Sequence, residues 1–217
     1  MKILIVTGGK IDEDFALQFL EKNSFDLIIA ADKGMELLGK LNIMPDYLVG
    51  DFDSVSEDVL DKARQNAGKV VKFNPVKDFT DTEAAVRLAI DELDADEITI
   101  LGATGTRLDH VLANINSLFI ALEKNIPAYI IDLNNRIRLI NKTTEIIRKE
   151  AFGDTISLIP YTDKVEGIIL TGFYYSLKDK TFSKFEEPSL GVSNVLTDDK
   201  GVIELTGGIL IMIEARD

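Results

Sequence analysis

Short runs of aliphatic and aromatic residues alternate with longer stretches of helical spacing as far as Asp132. Runs rich in Val, Ile and Tyr predict β-strands, and apolar residues three and four positions apart predict amphipathic helices between them. The predicted strands are Ile3–Val6, Leu27–Ala31, Tyr47–Val49, Val70–Phe73, Ile98–Leu101 and Ala128–Ile131. Such strands need cover on both sides, so this α/β half is expected to form a mostly parallel sheet with helices on both faces.

The stretch from Arg107 to Lys124 has the clearest helical pattern. Its apolar side chains recur at spacings of three and four, which predicts one broad buried face. That face comprises Leu108, Val111, Leu112, Ile115, Leu118, Phe119 and Leu122.

The pattern changes after Asp132, where short strands are separated by glycines and polar turns. This texture is typical of an antiparallel β-sandwich or barrel. The predicted strands are Arg136–Ile140, Thr144–Arg148, Thr155–Tyr161, Gly167–Leu170, Val202–Leu205 and Ile209–Ile213. An Asn-Asn pair suits a turn between the halves, so we predict domains at residues 1–133 and 134–217.

The net charge of the chain limits the kinds of molecule that it is expected to bind. The chain has 24 Lys and Arg against 37 Asp and Glu, a formal net charge of -13, which disfavours broad binding to nucleic acid or an anionic membrane. A phosphate-bearing substrate would therefore need positive charge supplied locally. With no cysteine and one histidine, thiolate metal sites are excluded and zinc is disfavoured. The N-terminal apolar run is too short for a membrane span, and we expect a cytoplasmic protein.

Three polar segments each follow a predicted strand and open a predicted helix: GDFDS at 50–54, KDFTDTE at 77–83 and GATGTRLDH at 102–110. Such turns gather at one edge of a parallel sheet, where we place the active site. Helix capping is an alternative explanation for part of each segment. The possible capping pairs are Ser54 with Glu57, Thr80 with Glu83, and Thr106 with Asp109.

Capping leaves the remaining acidic residues unexplained. Asp51 and Asp53 carry two like charges on one short turn, an arrangement that a cation would stabilise. Carboxylates on a turn suit magnesium that keeps several waters and also binds substrate phosphates. A solvated acidic turn is the competing interpretation.

The next segment contains one basic and two acidic residues that allow two interpretations: Lys77, Asp78 and Asp81. They are either a plain ion-pair cluster or a site in which Lys77 contacts a phosphate while an aspartate shares the cation or orients its water.

The third segment has features of an anion site. Gly102 and Gly105 allow close approach of the backbone to a phosphate, and the following helix presents its positive N-terminus. Arg107 adds what we expect to be an unneutralised donor. His110, the single histidine, is favoured for hydrogen bonding near the site over general-base chemistry. Earlier in the chain, Asp32 is expected to cap a helix, with lining of the nucleotide or acceptor crevice as the alternative.

The ordered motifs ADKG, PDYLVGDFDS, KDFTDTEAA and GATGTRLDHVLANINSL, followed by GVSN at 191–194 and a terminal GGILIMIEA, closely resemble the thiamine pyrophosphokinase family. The resemblance covers nearly the whole chain. It implies a nucleotide-binding α/β domain and a thiamine-binding β-sandwich in a homodimer with its active site at the subunit interface. It also implies transfer of pyrophosphate from ATP to thiamine, which yields AMP and thiamine diphosphate.

The resemblance assigns roles to residues at matching positions. Asp51, Asp53, Asp78 and Asp81 would hold Mg²⁺ and, with Lys77 and Arg107, act on the triphosphate. The expected ATP contacts are Asp32, Gly102, Thr104, Gly105, Arg107, Asp109 and His110. Ser193 and Asn194 would contact thiamine, although GVSN by itself is only a β-turn candidate.

The sequence departs from the family pattern at two points. Lys33 stands where a small residue is frequent, and the chain lacks the tryptophan that some members stack on thiamine. Tyr161, Phe173 and Tyr174 are the candidate replacements.

Two other functions compete with this interpretation. One is a related pyrophosphokinase for another primary alcohol, such as a hydroxymethylpterin. The other is a non-catalytic sensor of a nucleotide or of thiamine diphosphate.

Overall fold

The computed structural model describes residues 1–50, 79–105 and 107–217, together with the backbone of 69–72. The chain divides into two compact units, Met1–Leu133 and Asn134–Asp217. No helix in the described ranges is long and apolar enough to cross a membrane.

The first unit is built on a parallel sheet. Its strands are β1 (Lys2–Val6), β2 (Leu27–Ala31), β3 (Tyr47–Gly50), β4 (Lys69–Lys72), β5 (Glu97–Leu101) and β6 (Ala128–Ile131). They pair in the order β6-β5-β1-β2-β3-β4, each parallel to its neighbour. The described helices are α1 (Glu13–Lys22), α2 (Gly34–Lys40), α3 (Asp81–Asp91) and α4 (Leu108–Glu123).

Both faces of this sheet are covered. Four consecutive residues of β1, Ile3 to Val6, are completely buried. Because successive side chains of a strand point to opposite faces, such a run requires packing on each side. The predicted α/β architecture is therefore confirmed.

The register of the sheet brings three loops to one edge. Val6 lies opposite both Ala30 and Leu101, near the carboxyl ends of β2 and β5. The loops that follow these strands, at 7–10, 32–33 and 102–105, consequently leave the same edge of the sheet.

The second unit is an antiparallel β-sandwich, as predicted. One sheet has the order β12-β9-β14-β7 and the other the order β11-β10-β13-β8. The strands are β7 (Asn135–Ile140), β8 (Thr144–Ile147), β9 (Thr155–Pro160), β10 (Lys164–Thr171), β11 (Leu177–Ser183), β12 (Gly191–Val195), β13 (Lys200–Glu204) and β14 (Leu210–Ala215). Buried side chains from both sheets, including Leu158, Phe182, Ile203 and Met212, form the core between them.

Two strands of the sandwich differ from the sequence predictions. Leu177–Ser183 was not predicted as a strand, because its Lys-Asp-Lys centre is polar and mostly exposed. GVSN was predicted as a turn, but it belongs to β12, and this prediction was wrong in part. The strand contains an irregular register between Gly191 and Asn194, and Ser193 has a positive φ of 60°. The GVSN residues, which are typical of a turn, therefore lie at an irregular, bulged part of a strand.

The predicted buried face of α4 is also partly wrong. Leu108 is 73% exposed and Leu112 is 64% exposed. The buried side of the helix instead contains Asn114, Ser117, Leu118 and Ala121. These residues also recur at spacings of three and four, and their small size permits close packing. The helix is apolar around much of its circumference, so apolar spacing alone did not identify the packed side.

Candidate functional site

A cavity of about 340 Å³ lies within the first unit, where the loops after β1, β2 and β5 meet the start of α3. The structure brings to this cavity all of the predicted ATP contacts except Asp109, together with Asp81, which was predicted to bind the metal. They are Asp32, Asp81, Gly102, Thr104, Gly105, Arg107 and His110. Residues 51, 53, 77 and 78, the other predicted catalytic positions, lie outside the described residues.

Buried polar contacts fix the start of α3 beneath the cavity. The Thr7 and Thr82 hydroxyl groups are 2.8 Å apart and buried. The Thr80 hydroxyl caps the helix by accepting a hydrogen bond from the Glu83 N–H at 3.2 Å, as the capping interpretation predicted. Asp81 is therefore held at the first turn of α3, where the helix dipole favours a carboxylate.

Glycines allow the loops after β1 and β5 to interlock. The Gly9 N–H donates to the Gly102 carbonyl at 2.8 Å. A Cβ atom on Gly9 would lie only 2.1 Å from that oxygen and 2.2 Å from the Thr104 carbonyl oxygen. Gly102 itself has a φ of +76°, and a Cβ there would lie 2.2 Å from the Thr7 carbonyl oxygen. These glycines are thus required by packing between the loops, whether or not they also approach a phosphate.

Asp32 lines the cavity and does not occupy the N-cap position that we expected. Helix α2 begins at Gly34 with Lys33 as its N-cap residue, and no side chain caps it. Asp32 precedes the cap in a left-handed conformation with a φ of 47°, and its N–H donates to the Val49 carbonyl at 3.0 Å. Positive φ is uncommon for aspartate and occurs most often in turns. Asp32 thus forms part of the cavity wall, and the alternative interpretation, that it lines the crevice, describes its position.

Arg107 is neutralised, which contradicts the expectation of a free donor. Its Nη2 atom lies 2.6 Å from Oδ2 of Asp109, and its Nε donates to Oδ1 at 3.2 Å. This hydrogen bonding lowers the pKa of Asp109 from 3.8 to about 2 and raises the pKa of Arg107. The Asp109 carboxylate also accepts a hydrogen bond from the His110 N–H at 3.0 Å. The pair organises the first turn of α4 beside the cavity.

Asn114 connects α4 to the cavity wall and was missed by sequence reasoning. Its side chain is 4% exposed and donates to the Ala103 carbonyl at 2.8 Å. An asparagine within an apolar helical run is a signal that could have identified it, because a buried amide needs a partner. The other cavity residues that were not predicted as site residues are Thr7, Gly8, Gly9, Lys10, Lys33, Thr80, Thr82, Ala103 and Val111. The GGK sequence directly after β1 was the available signal for the first loop.

The predicted thiamine residues lie in the second unit and differ from one another in environment. Asn194 is buried, and its amide holds the backbone of Tyr175 by accepting from the N–H at 3.0 Å and donating to the carbonyl at 2.9 Å. Ser193 is exposed. The Asn194 side chain therefore has a structural task that is independent of any ligand.

Of the candidate aromatic replacements for tryptophan, Tyr174 is the accessible one. Phe173 is 4% exposed and belongs to the core, while Tyr174 is 69% exposed. Tyr161 is partly buried, and burial raises its pKa. Tyr174 packs edge-to-face on Tyr175, with ring centroids 4.9 Å apart.

Two protein-family models match the chain. The model described as thiamin pyrophosphokinase, catalytic domain, matches residues 19–130. The model described as thiamin pyrophosphokinase, vitamin B1 binding domain, matches residues 143–210. Together they span most of both structural units in the same order.

Individual relatives agree with these matches. The thiamine pyrophosphokinase of Bacillus subtilis is 34% identical over 191 residues, which is 88% of each chain. A crystal structure of the thiamine pyrophosphokinase from Bacillus subtilis covers all of both chains with a TM-score of 0.87 and 32% identity. A crystal structure of the enzyme from Geobacillus thermodenitrificans covers 100% of this chain and 98% of that one, with a TM-score of 0.85 and 30% identity.

Proposed function

We infer that this chain, which belongs to the thiamin pyrophosphokinase family, transfers pyrophosphate from ATP to the hydroxyl group of thiamine and releases AMP. The observation that carries this conclusion is the presence of both family domains, catalytic and vitamin B1 binding, in order on one chain. The second match favours thiamine over another primary alcohol such as a pterin. We assign nucleotide binding and catalysis to residues 1–133 and thiamine binding to residues 134–217. ATP as co-substrate fits a cytoplasmic location.

The nucleotide is assigned to the cavity of the first unit. Its walls combine backbone amides of the 102–105 loop with the polar side chains of Thr104, Arg107 and His110. Asp109 contributes by holding the Arg107 guanidinium in place. Asp32 supplies a carboxylate on the opposite loop. Such a mixture of amides, cations and carboxylates suits a nucleotide better than an apolar ligand.

The residues assigned to Mg²⁺ are Asp51, Asp53, Asp78 and Asp81. The donor type fits, because carboxylate oxygens are hard ligands and Asp81 lines the cavity. Within the described ranges, no group of three or more His, Cys, Asp or Glu side chains is arranged to hold a metal. The proposed set therefore combines Asp81 with three residues beyond those ranges. A bound Mg²⁺ would neutralise charge that develops on the phosphates.

The chemical step needs positioning more than covalent assistance. The thiamine hydroxyl oxygen forms a bond to the β-phosphorus while the bond from that phosphorus to the α,β-bridging oxygen breaks. AMP leaves with this oxygen, and Lys77 and Arg107 offset the negative charge. An aspartate of the pair Asp78 and Asp81 orients the hydroxyl group or accepts its proton.

Thiamine is assigned to the surface around β12. Ser193 is exposed there, and the nearby Tyr174 ring offers an accessible aromatic face for stacking. The role of Asn194 is to hold Tyr175, and through it the tyrosine pair, in position.

A homodimer with its active site at the subunit interface completes the proposal. Two groups of exposed apolar side chains support it, because a second copy would remove them from water. They are Leu108 and Leu112 on α4, and Tyr174, Tyr175, Val192 and Val195 around β12. A sedimentation mass equal to the 24.0 kDa monomer at assay concentration would contradict the dimer.

Substitution of Asp81 tests the catalytic assignment. Asp81→Asn is expected to lower turnover by about a hundredfold or more while the protein remains folded, since only a charge is removed. Asp91→Asn, at the other end of the same helix, is the matched control and should retain wild-type activity. Asp51→Asn and Asp53→Asn should resemble Asp81→Asn. Near-normal turnover in all three would contradict the metal and catalytic assignments.

A further inference from the structure

We propose that Lys10 and Lys33 together bind the phosphate groups of the nucleotide. This inference rests on the assignment of the cavity to a nucleotide. Lys10 precedes residues 19–130, which match the catalytic-domain model, and Lys33 lies within them. Both line the cavity of the first unit.

The charges around the cavity favour these two lysines as phosphate ligands. Among the residues that the structure describes, the Lys and Arg side chains that line it are Lys10, Lys33 and Arg107. Arg107 already shares its charge with Asp109 at 2.6 Å. In the part of the chain that the structure describes, Lys10 and Lys33 form no ion pair. In a protein with a net charge of -13, these two lysines are, among the described residues of the cavity, cations available to an anion.

Both lysines lie in closely packed loops that follow the adjacent strands β1 and β2. Lys10 lies in the loop after β1, and a Cβ on Gly105 would lie 2.9 Å from its backbone nitrogen. Lys33 follows β2, and its Cβ would lie 3.1 Å from a Cβ on Gly8. Because β1 and β2 pair in parallel, both loops leave the same edge of the sheet. The two loops thus bring Lys10 and Lys33 to the wall of one cavity.

Lysine chemistry suits this task. An ammonium group is a compact charge that can contact several oxygens of a flexible polyphosphate chain. Two ammonium groups that face one cavity repel each other, and a bound polyanion relieves that repulsion. The competing carboxylates Asp32 and Asp81 line the same cavity, so the lysines also reduce their repulsion of the phosphates. The expected contribution is to phosphate binding and not to recognition of adenine or ribose.

Direct binding measurements separate phosphate recognition from general damage to the cavity. Lys10→Met and Lys33→Met remove the charge while keeping an unbranched chain. Each should weaken binding of Mg-ATP by about tenfold or more in calorimetry without thiamine, and leave adenosine binding unchanged. Lys10→Arg and Lys33→Arg should restore most of the affinity. Lys22→Met, in the last turn of α1, is the matched control and should bind Mg-ATP like wild type.

The outcomes distinguish this inference from the proposed reaction. Wild-type Mg-ATP affinity in either methionine variant, or equal weakening of ATP and adenosine, would overturn the two-lysine assignment even if wild type makes thiamine diphosphate. If wild type binds Mg-ATP but forms no thiamine diphosphate, the proposed reaction fails while the lysine assignment stands on the binding data. Should a methionine variant unfold, Lys10→Gln and Lys33→Gln provide the same comparison.

Discussion

At the scale of single residues, the Arg107–Asp109 pair fixes one charged group beside the cavity. Both side chains are largely exposed, so its value lies in orientation more than in stability. The folded pKa of Asp109 is about 2, below the ordinary 3.8. The contribution of the pair to stability is therefore fully present above the ordinary value and is lost as the pH falls toward about 2.

An NMR titration of the Asp109 carboxyl carbon tests this pairing. The wild-type carboxylate should remain mostly ionised at about pH 3, and Arg107→Gln should raise its pKa toward the ordinary value. Arg87→Gln breaks a different pair, with Glu83, and should not move the Asp109 titration. An unshifted Asp109 pKa in wild type would contradict the ion pair.

The sequence predicted many cavity residues because acidic, basic and glycine-rich turns followed recognisable strands. Asp32, Asp81, Arg107 and His110 were found in this way, and all line the cavity. Asn114 was not predicted because its amide group donates a hydrogen bond to the Ala103 carbonyl, and only folding brings these two groups together. The pairing of Arg107 with Asp109 was missed for a different reason. Asp109 had been interpreted as part of a helix cap, and an ion pair between its carboxylate and Arg107 was therefore not considered.

At the scale of elements, the interlocked loops after β1 and β5 define the cavity. Their contact depends on the absence of side chains at Gly9 and Gly102. Such a contact has no periodic signature in sequence, although the strands on either side of it do.

Alanine substitution measures this loop contact. Gly9→Ala should destabilise the protein by about 1–3 kcal/mol or more, because its Cβ would overlap two carbonyl oxygens. Gly39→Ala is the matched control: nothing lies within 4 Å of its Cβ, and in helix α2 it should stabilise by up to about 1 kcal/mol. Urea unfolding of both variants provides the measurement. Equal stabilities would show that the loops do not interlock in this way.

Strand prediction succeeded where burial dictated the residues. Leu27–Ala31 and Ala128–Ile131 match the observed strands β2 and β6. β11 could not be predicted in the same way, because its central residues face solvent. It is a strand because its backbone pairs with that of β10. The exposure of Leu108 and Leu112 likewise depends on which side of α4 meets the sheet and α3.

At the scale of the whole molecule, an acidic chain places several basic residues around the cavity that we assign to an anionic substrate. The net charge of -13 disfavours polyanionic partners in general, and the cavity of the first unit gathers Lys10, Lys33 and Arg107. The second unit adds a sandwich with exposed tyrosines beside its edge strand. Two units with different surfaces suit a reaction that transfers pyrophosphate from a nucleotide to an organic cation.

Identification of both products of one reaction tests the central claim most directly. The purified protein is incubated with Mg²⁺, thiamine and ATP labelled separately at the α- and γ-phosphates. We expect the γ label in thiamine diphosphate and the α label in AMP, in equal amounts. Thiamine monophosphate with ADP, or no phosphorylated thiamine at all, would contradict the assignment of this chain as an ATP-dependent thiamine pyrophosphokinase.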